Sequence, residues 1–144
     1  MANRYFNQFQ YGFEKTPVKL YATILFATTA AAVIRAWNGV VYSTAGATGY
    51  RGVKSITRNG TGDFTIRLSD PYNRLLGATV DFVSADGSTP IVANGKPQVI
   101  VDNVGSATDP YVRMLFVNAG GSATDPTAND RGLLSFTLSN SNVG

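Results

Sequence analysis

The sequence predicts an all-β fold, an antiparallel β-sandwich or jelly-roll-like domain over residues 16–144 that follows an extended aromatic N-terminal arm over residues 1–15. Three observations carry this. Apolar and polar residues alternate in several short runs, the period of a half-buried strand. Asn-Gly and Asp-Gly pairs punctuate the chain, and both tolerate the positive φ that tight hairpins need. No stretch holds helical periodicity, apart from an ambiguous Ala-rich segment at Thr28–Trp37.

The arm comes first. Residues 1–13 carry Tyr5, Phe6, Phe9, Tyr11 and Phe13, five of the fifteen Phe and Tyr in the chain, with Asn and Gln between them. On a strand, Tyr5, Phe9, Tyr11 and Phe13 share one face and Phe6 takes the other. Aromatic rings beside amide side chains combine large apolar contact area with hydrogen bonding, which suits a protein interface. Arg4, Tyr5, Phe6, Phe9, Tyr11 and Phe13 are therefore the candidate partner-binding residues. The alternative is a first strand buried in the domain's own core.

Leu20–Ile34 is uncharged for 15 residues. A membrane helix needs about 20 apolar residues, and this run contains three Thr. A signal peptide begins its apolar region nearer the N-terminus, behind a basic segment. The run also alternates, with Val18, Leu20, Ala22, Ile24 and Phe26 on one face and Lys19, Tyr21 and Thr23 on the other. It reads as a strand that continues or restarts at Val33–Trp37.

Val53–Leu68 is the clearest hairpin, turning at Asn59-Gly60 and Gly60-Thr61-Gly62. Phe64, Ile66 and Leu68 face inward in its second arm, while Asp63, Thr65 and Arg67 face water. A short helical turn is expected at Asp70–Leu76, where Asp70 can cap and Pro71 takes the first helical position. Further strands follow at Gly77–Ser84 (Ala78, Val80 and Phe82 inward), Gln98–Val104, Tyr111–Asn118 and Leu133–Ser139 (Leu134, Phe136 and Leu138 inward). Val99–Val101 and Met114–Val117 are continuous apolar runs, the pattern of strands covered on both faces. Gly-Ser-Ala-Thr-Asp-Pro occurs twice, at 105–110 and 121–126. The two copies form similar turns at opposite ends of the intervening strand.

Composition excludes most catalysis. The chain has 144 residues, no His and no Cys, and Glu14 is its single Glu. Ser-His-Asp and Cys-His chemistry, thiolates and the usual zinc sites are ruled out. The scattered Asp residues give no carboxylate pair. The reading is a protein that is not an enzyme, with no catalytic residues, no cofactor and no metal site. Asp125–Asp130 offers oxygen ligands but too few, and at the wrong spacing, for a calcium loop. Arg58, Phe64, Arg67, Tyr72 and Arg74 interleave basic and aromatic residues as single-strand binders do. Asp63, Asp70 and Asp81 interrupt that set, so no nucleic-acid partner is expected, and no membrane. Net charge is +3, and it is uneven. Residues 1–72 hold eight basic and three acidic residues, whereas 73–144 hold four and six. Such asymmetry suits head-to-tail association or an acidic partner.

Several segments together resemble a known group. These are Arg4-Tyr5-Phe6-Asn7-Gln8-Phe9, the run Gly52–Arg58 through Gly60–Leu68, Tyr72–Gly77, and Gly132–Ser139 followed by Asn140-Ser141. They resemble small virion proteins of tailed bacteriophages. The resemblance implies a structural role as a capsid cement or decoration protein on the capsid exterior. It implies a β-rich fold, the major capsid protein as partner and a homo-oligomer, with a trimer favoured. A receptor-binding or fibre head domain of a phage virion is the alternative. Thr28–Gly49 matches no shared motif.

Overall fold

The computed structural model describes residues 17–26, 33–37, 42–43, 52–85, 87 and 96–140. These residues form an all-β sandwich of two antiparallel sheets, without a helix among them. Within them, no helix is long and apolar enough to cross a membrane. The N-terminal arm lies outside the described residues, as do the Asn38-Gly39 and Asn94-Gly95 pairs.

Nine strands are described: β1 (Pro17–Leu25), β2 (Val33–Trp37), β3 (Tyr42–Ser43), β4 (Val53–Gly60), β5 (Asp63–Leu68), β6 (Arg74–Val83), β7 (Gln98–Asn103), β8 (Tyr111–Leu115) and β9 (Arg131–Ser139). One sheet runs β3-β2-β1-β9-β6 and the other β4-β5-β8-β7. Leu20–Leu25 of the uncharged run lies in β1, as its alternation requires, and Val33 and Ile34 open β2. Leu20, Ala22, Ile24 and Phe26 are buried and Tyr21 is exposed. Pro17 opens β1, a place where its missing N–H is tolerated.

The registers stack the inward faces into rows. Leu20 pairs with Phe136, and Phe136 with Ala78; Ala22 pairs with Leu134, and Leu134 with Val80. Each row sets one Ala beside larger residues, which offsets their bulk across the layer. Facing it, Phe64, Ile66 and Leu68 of β5 and Val112 and Met114 of β8 are buried. Four phenylalanines join the two layers at one end. Phe26 and Phe82 come from the first sheet, Phe64 and Phe116 from the second. Their ring centroids stand 5.1–6.0 Å apart. Gly132 makes room for this cluster, since a Cβ there would sit 3.0 Å from the Phe26 ring and 3.2 Å from Val80.

Five expectations are corrected. The β4–β5 turn is Thr61-Gly62, with φ +68° at Gly62, while Gly60 stays in the ladder opposite Asp63. The helical turn at Asp70–Leu76 does not form. Tyr72 N–H donates to the Val104 carbonyl at 2.8 Å and Asn73 N–H to the Ser139 carbonyl at 2.9 Å, so cross-chain partners replace the helical ones. The strand then opens at Arg74 rather than Gly77, through a bulge between Leu75 and Gly77. Thr65 is buried rather than solvated, because the Asn59 amide donates to its hydroxyl at 2.8 Å. Finally, β7 is not covered on both faces. Among the described residues it is an edge strand, bulged between Val99 and Val101, and Val99 and Ile100 are 40% and 44% exposed.

Candidate functional site

The arm residues Arg4, Tyr5, Phe6, Phe9, Tyr11 and Phe13 lie outside the described residues. The described surface divides into three parts: a charged face, an apolar edge and a mixed polar face.

The charged pairs flank the four-stranded sheet: Asp63, Arg67 and Arg113 stand on its outer face, whereas Arg58 shares the register row of buried Phe64 and lies towards the sheet's end. Arg58 grips Asp125 through Nε (3.1 Å) and Nη2 (2.6 Å). Arg67 Nε donates to Asp109 at 2.9 Å. Arg113 makes a two-pronged pair with Asp63, its Nε lying 2.8 Å from Oδ1. Both Asp109 and Asp125 are the fifth residue of the repeated hexapeptide. The two copies do sit at opposite ends of β8, and each turns its Asp onto an Arg of the β4–β5 hairpin. The repeat is therefore a pair of latches rather than two equivalent turns. Spacing alone gives no sign of this, since Arg58 and Asp125 are 67 residues apart.

The two latches are unequal. Asp125 also accepts the Gly62 N–H at 2.8 Å, and both Asp125 and Arg58 are about a third exposed. Asp109 and Arg67 are more exposed and share one bond. Asp125→Ala is expected to lower stability by about 1.5–3 kcal/mol, because it strands a backbone donor as well as a guanidinium. Asp109→Ala is expected to cost less than about 1 kcal/mol, as an exposed pair does. Urea unfolding of the two variants checks this, and equal losses would contradict it. The same pairs set an acid limit. The bond from Arg58 holds the Asp125 carboxyl below the usual carboxylate range against the opposing effect of burial, and the Gly62 N–H assists. The bond from Arg113 does the same for Asp63 against burial, with help from Asn59. Folded-state values below the unfolded ones give stability that is complete above the ordinary carboxylate pKa near 4 and fades as pH falls through the lowered values. Stability should thus be flat above about pH 5 and fall below about pH 4.

The remaining polar constellations dissolve into structure. Asp130 is buried and accepts the Ala85 and Thr127 N–H groups at 3.1 Å each. With Asp125 held by Arg58, the Asp125–Asp130 loop serves as an anchor. Among the described residues no group of three or more His, Cys, Asp or Glu converges on one point. Of the basic and aromatic set, Phe64 and Tyr72 are core residues, and Arg58 and Arg67 are committed to Asp125 and Asp109. They form no stacking platform.

The apolar edge is the side of the sandwich where β6 and β7 end their sheets and contact each other. Both strands are bulged there. Leu76 lies in the β6 bulge and Ile100 in the β7 bulge, and with Val99 they are 40–44% exposed. Bulges twist an edge away from further strand pairing, so this side presents side chains rather than a free backbone ladder. The sequence shows the Leu75-Leu76 pair and the Val99–Val101 run, but not that they share an edge.

The mixed polar face is the outside of the five-stranded sheet. Tyr21 pairs with Ser135 and Ser135 with Thr79; in the next row Thr23 pairs with Leu133 and Leu133 with Asp81. Tyr21 is 58% exposed and Leu133 39%.

No family model matches this chain, and no curated protein or solved structure matches it either.

Proposed function

We propose that this chain is a structural protein of a bacteriophage particle, a capsid cement or decoration protein that binds the major capsid protein lattice from the outside and stabilises the head. The observation that carries this reading is the apolar β6–β7 edge. Leu76, Val99 and Ile100 are three of the five exposed large hydrophobic residues among the described residues. Exposed aliphatics on neighbouring edge strands favour contact with another protein surface. Binding only to the assembled lattice shifts the equilibrium toward assembly by linkage, with no chemistry required. The resemblance to small virion proteins points to the same role, and the low charge content, 15%, suits adhesion through apolar contact. On this reading the protein works as a homo-oligomer, a trimer favoured, and residues 1–13 reach a neighbouring copy or the shell.

The test uses particles of the encoding phage that lack this protein. Added back, the wild-type chain should occupy the capsid exterior in electron micrographs and raise the temperature at which heads rupture. Ile100→Lys and Leu76→Lys should fold normally yet lose at least about tenfold in affinity, since each places a charge in a desolvated contact. Removing residues 2–11 tests the arm in the same assay. Location on the tail or fibre, or normal occupancy by both Lys variants, would overturn the cement reading.

A further inference from the structure

The outside of the five-stranded sheet carries a depression that attachment to a capsid does not use. Its volume is about 290 Å³, and Tyr21, Thr23, Asp81, Leu133 and Ser135 line it. The register explains why it is there. Ser135 lies on the central strand β9, directly beside Tyr21 on β1 and two residues from Leu133. Its small side chain leaves a floor between larger ones. Asp81 stands across from Leu133 on β6 and forms the far wall. The frame is rigid, because β9 pairs along its length with both neighbours and the inward residues Leu134 and Phe136 are buried.

The chemistry of the lining selects a class of ligand. Tyr21 gives an exposed ring face, which takes up apolar C–H surface, and its hydroxyl is a polar tip. The Asp81 carboxylate is an acceptor for more than one O–H, and the Ser135 and Thr23 hydroxyls can donate or accept. Among the described residues that line the depression there is no Lys or Arg, and the Asp81 carboxylate repels a phosphate or sulfate. The volume is at the lower end for small-molecule sites. A neutral sugar ring presents an apolar C–H face rimmed by hydroxyls, which complements an aromatic platform flanked by one carboxylate and two hydroxyls. We propose that this face is a binding site for neutral saccharides, with Tyr21 as the stacking platform and Asp81 as the principal hydroxyl acceptor. The inference is independent of the capsid reading.

The experiment is a titration of the full, isotope-labelled chain with maltotriose, cellotriose and mannotriose, followed by amide shifts. At least one of them should give saturable shifts centred on Tyr21, Asp81, Leu133 and Ser135, with a Kd of about 1 mM, as expected for a shallow site with few polar contacts. Tyr21→Ala should weaken binding at least about tenfold and leave the melting temperature unchanged, because the side chain is mostly exposed. Tyr21→Phe should keep the ring and most of the affinity. Ser135→Asn, which fills the floor, should block binding and serves as a second variant. Absence of saturable shifts with all three sugars up to about 20 mM would overturn the proposal. So would shifts centred elsewhere, or binding that survives both Tyr21→Ala and Ser135→Asn. If wild type binds none of the sugars but Tyr21→Ala fails to attach to particles, the face is a protein contact and the saccharide site is refuted.

Discussion

Phe116→Ala is expected to be among the most damaging single substitutions in the chain, lowering stability by about 3–5 kcal/mol. Phe116 is fully buried. Its ring meets Phe26 and Phe82 edge-on at 5.7 and 5.6 Å and Phe64 at a tilt at 5.1 Å, so it touches rings from both sheets. Truncation removes the transfer energy of the ring, leaves a cavity and breaks three aromatic contacts, each worth about 0.5–1.5 kcal/mol beyond area alone. The backbone around it is pinned, which prevents collapse. Phe116 N–H donates to the Gly62 carbonyl at 2.7 Å, and its carbonyl accepts the Thr124 N–H at 3.0 Å. The loss is read from the urea midpoint at unchanged slope. A loss below about 1.5 kcal/mol would mean that the sheets close over the gap, contrary to a rigid four-ring cluster.

Gly62→Ala is expected to lower stability by about 2–3 kcal/mol, far more than a surface turn substitution normally does. Gly62 has φ +68°. A Cβ there would run into the Phe116 carbonyl oxygen and stand 2.8 Å from the Thr124 nitrogen. Both are backbone atoms, joined to each other by a hydrogen bond, so neither yields as a side chain would. Gly87 is the control. Its φ is +70°, yet nothing lies within 4 Å of its Cβ position. Gly87→Ala should therefore cost only the left-handed conformation, about 1 kcal/mol. The difference between the two isolates the steric part. Equal losses in thermal unfolding would show that φ alone matters and that the Phe116–Thr124 backbone is free to move.

These two positions mark where local pattern stops being informative. Phe64, Ile66 and Leu68, and likewise Leu134, Phe136 and Leu138, can be assigned to the core from alternation, because a strand's period is two wherever one face is buried. Tyr21 on the open face is legible for the same reason, and so is the strand character of Leu20–Leu25. The turn was less so. Asn59-Gly60 and Thr61-Gly62 carry equally good turn residues. The choice between them falls to the contact of Gly62 with Phe116 and Asp125, residues more than 50 positions away. Asp70-Pro71 reads as a helix start, yet Val104 and Ser139 supply the partners for Tyr72 and Asn73.

By itself, then, the sequence determined the all-β class, most strand positions and which side chains face the core. It also determined the absence of His and Cys chemistry, since composition needs no geometry. The tertiary structure alone decided the strand order, and with it that β6 and β7 are edges. That converts the apolar run Val99–Val101 from a doubly covered strand into a partly exposed edge of the described sheet. It alone paired the two repeated Asp residues with Arg58 and Arg67, and it alone set Ser135 beside Tyr21, one row from Asp81. The physical reason is common to all of these. Alternation records whether a residue is buried, through its hydrophobicity, but not which neighbour buries it. Partners far apart in sequence are selected by sheet order and register, and these follow from packing the whole domain at once.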